Sequence, residues 1–310
     1  MIVSCGEALI DFIPHRHADG SLAFRPHPGG SPFNVAIALG RLSVEAGFFG
    51  GLSTDFFGTM LRDALDDCAV DSEFAVISRR PSTLAFVDLD EGEARYAFFD
   101  EGSAGRMLTE ADLPAFPREV TALHFGSISL AEEPCGSTLE ELMHREQRDR
   151  VISLDPNVRP PLIRNRDGYV ARIERMAAMS DIVKLSDDDL AWLAPGVAFE
   201  TVARRWFAHA TRLAVLTKGA AGATALARNA SVEVPGVAIE TVDTVGAGDT
   251  LTAALLARLA QRQRLGKAAL ADLTADELTD ALGFAVKAAA ITASRAGADP
   301  PWLSELASAA

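Results

Sequence analysis

The stretch from Glu240 to Thr250 (Glu-Thr-Val-Asp-Thr-Val-Gly-Ala-Gly-Asp-Thr) carries the residue types best suited to chemistry, and it runs directly into an apolar helical pattern. Gly246 and Gly248 let the backbone turn tightly and approach a ligand closely. The amides of Ala247, Gly248 and Asp249 would then project unpaired from a helix N-terminus, an arrangement that binds anions and phosphate above all. A carboxylate beside a phosphate is repelled, so Asp249 needs a task there. Next to a transferring phosphoryl group it could accept the proton of an attacking hydroxyl. The plainer reading is an acid in the first turn that complements the helix dipole. Neither common nucleotide loop fits the spacing. No Gly-x-x-x-x-Gly-Lys occurs, and Leu251 stands where Gly-x-Gly-x-x-Gly requires its third glycine, which disfavours a dinucleotide-binding enzyme.

A second glycine-rich point is Pro28-Gly29-Gly30-Ser31-Pro32-Phe33-Asn34. Its glycines permit close backbone approach, and Asn34 offers a donor and an acceptor suited to sugar hydroxyls. Ser31-Pro32 reads as a helix start, a serine N-cap followed by proline at the first helical position. An ordinary capped loop is the alternative. Asp11 lies inside the apolar run Ala8–Ile13, and a buried carboxylate needs partners. A polyol with two adjacent hydroxyls would supply them, as would a hydrogen bond to backbone. His15 and His17 flank Arg16 without a carboxylate or cysteine at ligand spacing and read as a solvated turn. Gly-x-Ser-x-Gly and His-Glu-x-x-His are both missing.

The elements that position these residues follow from the pattern of apolar runs. Ile2–Ile13, Ala46–Gly50, Ala122–Phe125, Val151–Leu154, Ile182–Leu185 and Leu213–Leu216 read as strands. Helices are expected over Ser31–Leu42, Asp55–Asp67, Gly136–Arg148, Tyr169–Met179, Thr201–His209, from near Gly248, and over Asp276–Thr292. This alternation predicts an α/β protein with a parallel sheet covered by helices. One segment breaks the rhythm. Leu84–Asp90 and Ala94–Asp100 read as a β-hairpin around Glu91-Gly92, and Ser21–His27 as a further strand. These pieces predict a small sheet projecting from the core as a lid.

At roughly 150 residues per domain, the 310 residues fit about two domains or one large α/β domain. A hydrophobic content of 48% is ample for a core. The formal net charge of −14 argues against nucleic acid and anionic membranes as partners, because both demand a positive field. No apolar stretch approaches the roughly 18 residues of a membrane span, and the N-terminus reads as a strand rather than a secretory signal. Cys5, Cys68 and Cys135 are far apart and lack metal-ligand spacing, so a reduced, cytoplasmic protein is expected.

Two segments then match a family. Gly29-Gly30-Ser31-Pro32-Phe33-Asn34-Val35-Ala36 with Leu39-Gly40-Arg41-Leu42 resembles the N-terminal signature of the ribokinase (PfkB-type) sugar kinases. Asp243-Thr244-Val245-Gly246-Ala247-Gly248-Asp249-Thr250 resembles their C-terminal signature. The likeness extends over essentially the whole chain: Gly6–Asp11, Thr83–Val87, Asp155–Arg159 and Lys184–Ser186 are similar to segments of the family's bacterial fructokinase branch. The resemblance implies a ribokinase-like three-layer sandwich, with a central, mainly parallel sheet and a small β lid. It implies a single domain over residues 1–310, with lid segments near 12–27 and 81–103. The implied activity is transfer of the γ-phosphoryl of ATP, with Mg²⁺, to a sugar hydroxymethyl group. Of the site residues, Asp249 would be the base, with Gly246, Ala247 and Gly248 as the anion hole. Asp11, Gly29, Gly30 and Asn34 would hold sugar hydroxyls, and Arg159 would face the transferred phosphate. Lys184, Ser186, Thr217, Lys218, Gly219 and Gly222 fall on the nucleotide side. Asp243 and the Val245 carbonyl match a monovalent-cation site, such as one for K⁺.

Two departures from the family pattern bear on metal and substrate. The family's Asn-x-x-Glu corresponds here to Ser186-Asp187-Asp188-Asp189, which leaves Asp189 to act on the metal through water. Where many relatives carry Phe-Tyr-Arg, this chain has Phe98-Phe99-Asp100 in an acidic lid. A 2-keto-3-deoxygluconate kinase needs a cation for the sugar carboxylate, which Asp100 disfavours although Arg95 and Arg106 lie near. Phe98 either lays its ring over the sugar's apolar face or packs the hairpin. The resulting expectation is a ketohexose kinase acting on D-fructose, with ketodeoxygluconate, ribose and nucleoside kinases as same-fold competitors. A catalytically silent sugar or nucleotide sensor is the reading from another class. The lid edge could also join two copies into a homodimer.

Overall fold

Strand β1 (Ile2–Cys5) shows how the layers arise. Successive side chains of a strand point to opposite faces, so Ile2 enters one apolar core while Val3 and Cys5 enter another. The same split recurs at Val151 against Ile152 and Leu154, and at Leu213 and Val215 against Ala214 and Leu216. A sheet with two apolar faces must be covered on both.

The computed structural model describes residues 1–17, 19–90 and 93–308. After β1 the strands are β2 (Leu9–Arg16), β3 (Leu22–Gly29), β4 (Ala46–Phe49), β5 (Gly51–Ser53), β6 (Val70–Asp71), β7 (Val76–Ser78), β8 (Thr83–Asp90) and β9 (Glu93–Phe99). The second half adds β10 (Ala122–Gly126), β11 (Val151–Asp155), β12 (Ile182–Ser186), β13 (Leu213–Thr217), β14 (Ala223–Ala227) and β15 (Ser231–Val234). The first helices are α1 (Ser31–Arg41), α2 (Phe56–Asp67), α3 (Cys135–Glu146), α4 (Arg166–Met179) and α5 (Asp187–Leu193). They are followed by α6 (Phe199–Phe207), α7 (Ala247–Gln261), α8 (Lys267–Ala271), α9 (Ala275–Ala293) and α10 (Leu303–Ser308).

Nine strands form the large sheet in the order β15-β14-β13-β12-β11-β10-β1-β4-β6. It is parallel from β6 to β13, and the β13–β14 and β14–β15 pairs are antiparallel. Helices α1, α2, α7 and α9 bury their apolar sides on one face, and α3, α4 and α6 on the other. This is the expected three-layer α/β sandwich. A separate sheet in the order β3-β2-β8-β9 is the expected lid. The turn Glu91-Gly92 and the side chains of Asp88, Asp90, Glu93 and Arg95 lie outside the described residues.

The run Ile2–Ile13 is not one strand. Continuous apolarity cannot register a change of sheet, and here β1 belongs to the large sheet and β2 to the lid. The break falls at Gly6, with φ +152°, whose N–H donates to the Phe49 carbonyl at 2.9 Å. A Cβ there would sit 2.5 Å from Pro32 Cγ and 2.6 Å from Ser129 Oγ, so only glycine fits the crossing. Strand β14 escapes sequence reading because Ala-Thr-Ala-Leu-Ala has weak β-propensity. Its five-residue antiparallel pairing with β13 fixes it instead.

The N-cap of α1 also differs from expectation. Gly30, at φ 104°, caps the helix without a side-chain bond, and the Ser31 amide donates to Glu7 Oε1 at 3.1 Å. A carboxylate from the β1–β2 crossing thus does the work expected of the Ser31 hydroxyl, which is left available for other bonds.

Candidate active site

Ligands of open parallel sheets gather at the carboxyl ends of the strands where chain order reverses. Here β1 has β4 on one side and β10 on the other, and the residues following β1, β10 and β11 meet α1 and α7 there. They enclose a cavity of about 280 Å³, whose chemically active lining is Glu7, Asp11, Asn34, Phe98, Arg159 and Asp249. The structure therefore brings together both glycine-rich segments and the lid.

Helix α7 starts at Gly246, which holds a left-handed φ of 75°. The expectation of three open amides needs one correction. The Ala247 N–H donates to the Thr244 carbonyl at 3.3 Å, while the Gly248 and Asp249 amides have no partner among the described residues. Two unpaired donors at the positive end of a helix dipole remain an anion site. Asp249 is buried in this first turn. Its Oδ1 accepts from Ser31 Oγ at 2.6 Å and, more distantly, from Asn157 Nδ2 at 3.4 Å. Its Oδ2 accepts from Asn34 Nδ2 at 2.9 Å. An acceptor-only carboxylate surrounded by donors is held in one orientation.

Asp11 enters from the lid. In β2 it is in register with His27 of β3 and Ala85 of β8, and Ala85 is in register with Phe98 of β9. Period-two alternation therefore puts Asp11 and Phe98 on the same face of the lid, toward the cavity. Gly29 is required beside it, because a Cβ there would lie 2.3 Å from Asp11 Oδ2. Burial pushes the Asp11 carboxyl up to about 6; the charge of Asp249 adds to the rise and Arg159 opposes it. Arg159 stands exposed at the rim, its Nη1 donating to Asn157 Oδ1 at 2.7 Å. Glu7 forms part of the cavity lining, and burial lifts its carboxyl to about 7 against the pull of the Ser127, Ser129 and Ser31 donors.

Lys184, expected on the nucleotide side, is buried and paired. Its side chain is only 5% exposed and donates from Nζ to the 1%-exposed Asp155 Oδ2 at 2.8 Å. A Cβ on Gly248 would meet Nζ at 3.3 Å, so the ammonium sits directly beneath the anion loop. Burial alone would discharge Lys184, but Asp155, Asp189 and Asp249 outweigh it and hold the ammonium charged.

Asp189 is a brace rather than an open carboxylate. Its Oδ2 accepts from the Ser186 amide and hydroxyl in a capping box, and its Oδ1 from the Val158 amide at 2.7 Å. The same box occupies the Ser186 hydroxyl. Thr217 ends β13, Gly219 and Gly222 bracket the short turn after it, and Lys218 Nζ pairs with Glu233 at 2.7 Å. All four lie at the carboxyl edge of the sheet, outside the sugar-sized cavity. Asp243 accepts from the Val245 amide at 3.0 Å and the Gly297 amide at 2.9 Å, beside the anion loop. No cluster of three or more His, Cys, Asp or Glu able to hold a metal occurs among the described residues. Arg106 is committed to Asp100 at 3.2 Å and Glu132 at 2.9 Å.

Sequence reasoning passed over three contributors: Glu7, Asn157 and the Ser31 hydroxyl. Asn157 and Ser31 reach Asp249 across 92 and 218 residues, so no local spacing reports them.

The fold and the site together define a phosphoryl-transferring α/β enzyme. The chain belongs to the pfkB family of carbohydrate kinases, whose profile matches residues 1–305. A fructokinase from Rhizobium leguminosarum bv. trifolii is 49% identical over 273 residues, covering 88% of this chain and 84% of that protein. The crystal structure of a fructokinase from Xylella fastidiosa with bound ATP superposes with a TM-score of 0.92 at 30% identity, over 99% of this chain and 97% of that one. A double-mutant fructokinase from Vibrio cholerae O395, with fructose, ADP and potassium ion bound, superposes at 0.85 with 28% identity, over 99% and 97%. These relatives place the chain on the fructokinase branch of the family.

Replacing Lys184 by methionine leaves the buried Asp155 carboxyl without its partner. The expected cost is about 3–5 kcal/mol of stability, read from urea unfolding at pH 7.5. An unfolding midpoint equal to that of the wild type would show that the pair does not hold this end of the sheet together.

Proposed function

We propose that the chain is an ATP-dependent fructokinase, one kinase domain whose four-stranded sheet closes over the sugar. The observation that carries this reading is the Asp249 carboxylate, set at the open first turn of α7 and facing the same cavity as Asp11, Asn34 and Arg159. Asp249 takes the proton of one sugar hydroxymethyl group as its oxygen attacks the γ-phosphorus, and ADP leaves on the opposite side. The Gly248 and Asp249 amides, with the Lys184 ammonium beneath them, offset charge on the transferring group. Asp11, with its carboxylate seated against Gly29, and Asn34 hold the sugar hydroxyls, with Phe98 over the ring and Arg159 at the transferred phosphate. Closure of the lid excludes water.

A neutral sugar suits this cavity better than a sugar acid. Glu7, Asp11 and Asp249 line it, Arg159 is its lining cation, and Arg106 is spent on Asp100 and Glu132. That balance, with the fructokinase relatives, favours a ketohexose over ketodeoxygluconate. Mg²⁺ arrives with the nucleotide and keeps most of its waters, so it needs no protein cage. The Val245 carbonyl and the Asp243 carboxylate form an all-oxygen donor set that fits a monovalent cation such as K⁺, which would favour anion binding by the adjacent loop. Three free, buried cysteines and dependence on ATP favour a cytoplasmic setting. No helix among the described residues is long and apolar enough to cross a membrane.

ADP release measured against a sugar panel tests the activity, with D-fructose expected to give the highest kcat/KM. Asp249→Asn is expected to lose at least about 10²-fold in kcat while still binding fructose. Near wild-type turnover in that variant would remove Asp249 as the base.

Asp11 supplies a pH test. Raised to about 6, it is charged above that pH and takes up a proton below it. The KM for fructose is therefore expected to rise as pH falls through 6, and Asp11→Asn to give a higher KM that is flat between pH 5 and 7.5. A wild-type KM that does not change over this range would remove Asp11 as the charged acceptor.

We place any contact between two copies on the lid, whose edge strands are β3 and β9 and which exposes Leu22, Phe24 and Phe99. Sedimentation of a dimer that Phe99→Ser weakens is expected; a monomer at every accessible concentration contradicts it.

A further inference from the structure

Ser31 opens α1, yet its hydroxyl caps nothing in its own helix. It donates instead to Asp249 Oδ1, at 2.6 Å across 218 residues. The backbone beneath it is pinned by Glu7, whose Oε1 accepts the Ser31 amide at 3.1 Å and whose Oε2 accepts the Ser129 amide at 3.2 Å. Both Ser31 and Glu7 are buried. One turn further along α1, Asn34 donates to the other oxygen of the same carboxylate at 2.9 Å.

These two donors are not equivalent. Asn34 carries an amide suited to sugar hydroxyls and is only partly buried, so an entering hydroxyl can take its place at Oδ2. Ser31 has a single proton, already aimed at Oδ1, and its amide is anchored from the β1–β2 crossing. We propose that Ser31 is a positioning residue for Asp249: its hydroxyl, held in place through Glu7, fixes Oδ1 so that Oδ2 faces the hydroxyl to be phosphorylated. The inference rests on the kinase reading above. The sugar proton passes to Oδ2, and the Ser31 proton stays on its own oxygen. Removing the hydroxyl leaves Oδ1 with only the longer contact to Asn157 Nδ2 at 3.4 Å, which loosens the carboxylate and lowers the fraction of bound complexes in a reactive geometry. The loss falls on turnover, and sugar binding is spared.

The test compares Ser31→Ala and Ser31→Cys in fructose-dependent ADP release, each alone and combined with Asp249→Asn. Cysteine keeps the volume of the buried site, so the comparison survives if the alanine variant folds poorly. Both single variants are expected to lose about 5- to 50-fold in kcat, with KM for fructose and for ATP within about twofold of wild type. In the Asp249→Asn background neither is expected to change the residual rate by more than about twofold, because no base remains to be positioned. Wild-type kcat in both variants overturns the proposal. So does an equal loss in the Asp249→Asn background, which would mark a general structural effect, or a rise in KM at unchanged kcat. A wild-type protein that releases ADP with no sugar removes the kinase reading itself, and this inference with it.

Discussion

In the proposed reaction a proton-accepting carboxylate has to stand where a phosphate is bound, and like charges repel. The rest of the site is organised around that conflict at Asp249. Its oxygens are held by neutral donors from α1, Ser31 and Asn34, with Asn157 farther off. Those donors restrain the carboxylate without an ion pair. In the same proposal the phosphate would be met by the unpaired Gly248 and Asp249 amides at the helix terminus, which present positive potential without a mobile side chain.

The charge beneath the loop completes the balance. Lys184 is the one buried basic side chain other than histidine among the described residues, and it lies against the underside of the anion loop. Asp155 makes its burial tolerable, and the pair joins the end of β11 to the middle of the adjacent β12. A chain with a net charge of −14 can thereby handle ATP, because the local field at one helix terminus decides binding rather than the total. Beside the lid, Arg106 is already paired with Asp100 and Glu132 and adds no free positive charge there.

The layered architecture was legible because alternation of apolar residues is a local property, visible in runs such as Val151–Leu154 and in the stripe of Val35, Ala38, Leu39 and Leu42. Asp249 and the two glycine-rich turns, which line one cavity, were legible as candidates for the same reason: their residue types stand in adjacent positions. What escaped was tertiary. Ser31 looks like a cap from its neighbours, but Glu7 takes the amide and frees the hydroxyl. The partners of Lys184 and Asp189, Asp155 and a capping box, likewise could not be read from their residue types. The change of sheet at Gly6 has no signature in hydrophobicity, and shows only in a backbone angle and in the atoms a side chain would strike.

Phosphoryl transfer through Asp249 makes one demand that binding or simple ATP hydrolysis does not. Phosphorus-31 NMR of the protein with ATP, Mg²⁺ and D-fructose reads it directly. A single phosphomonoester signal should grow one-for-one with ADP, without inorganic phosphate, and neither should form when fructose is left out. Inorganic phosphate accumulating in step with ADP, whether or not fructose is present, would contradict a site built to deliver the phosphoryl group to a sugar.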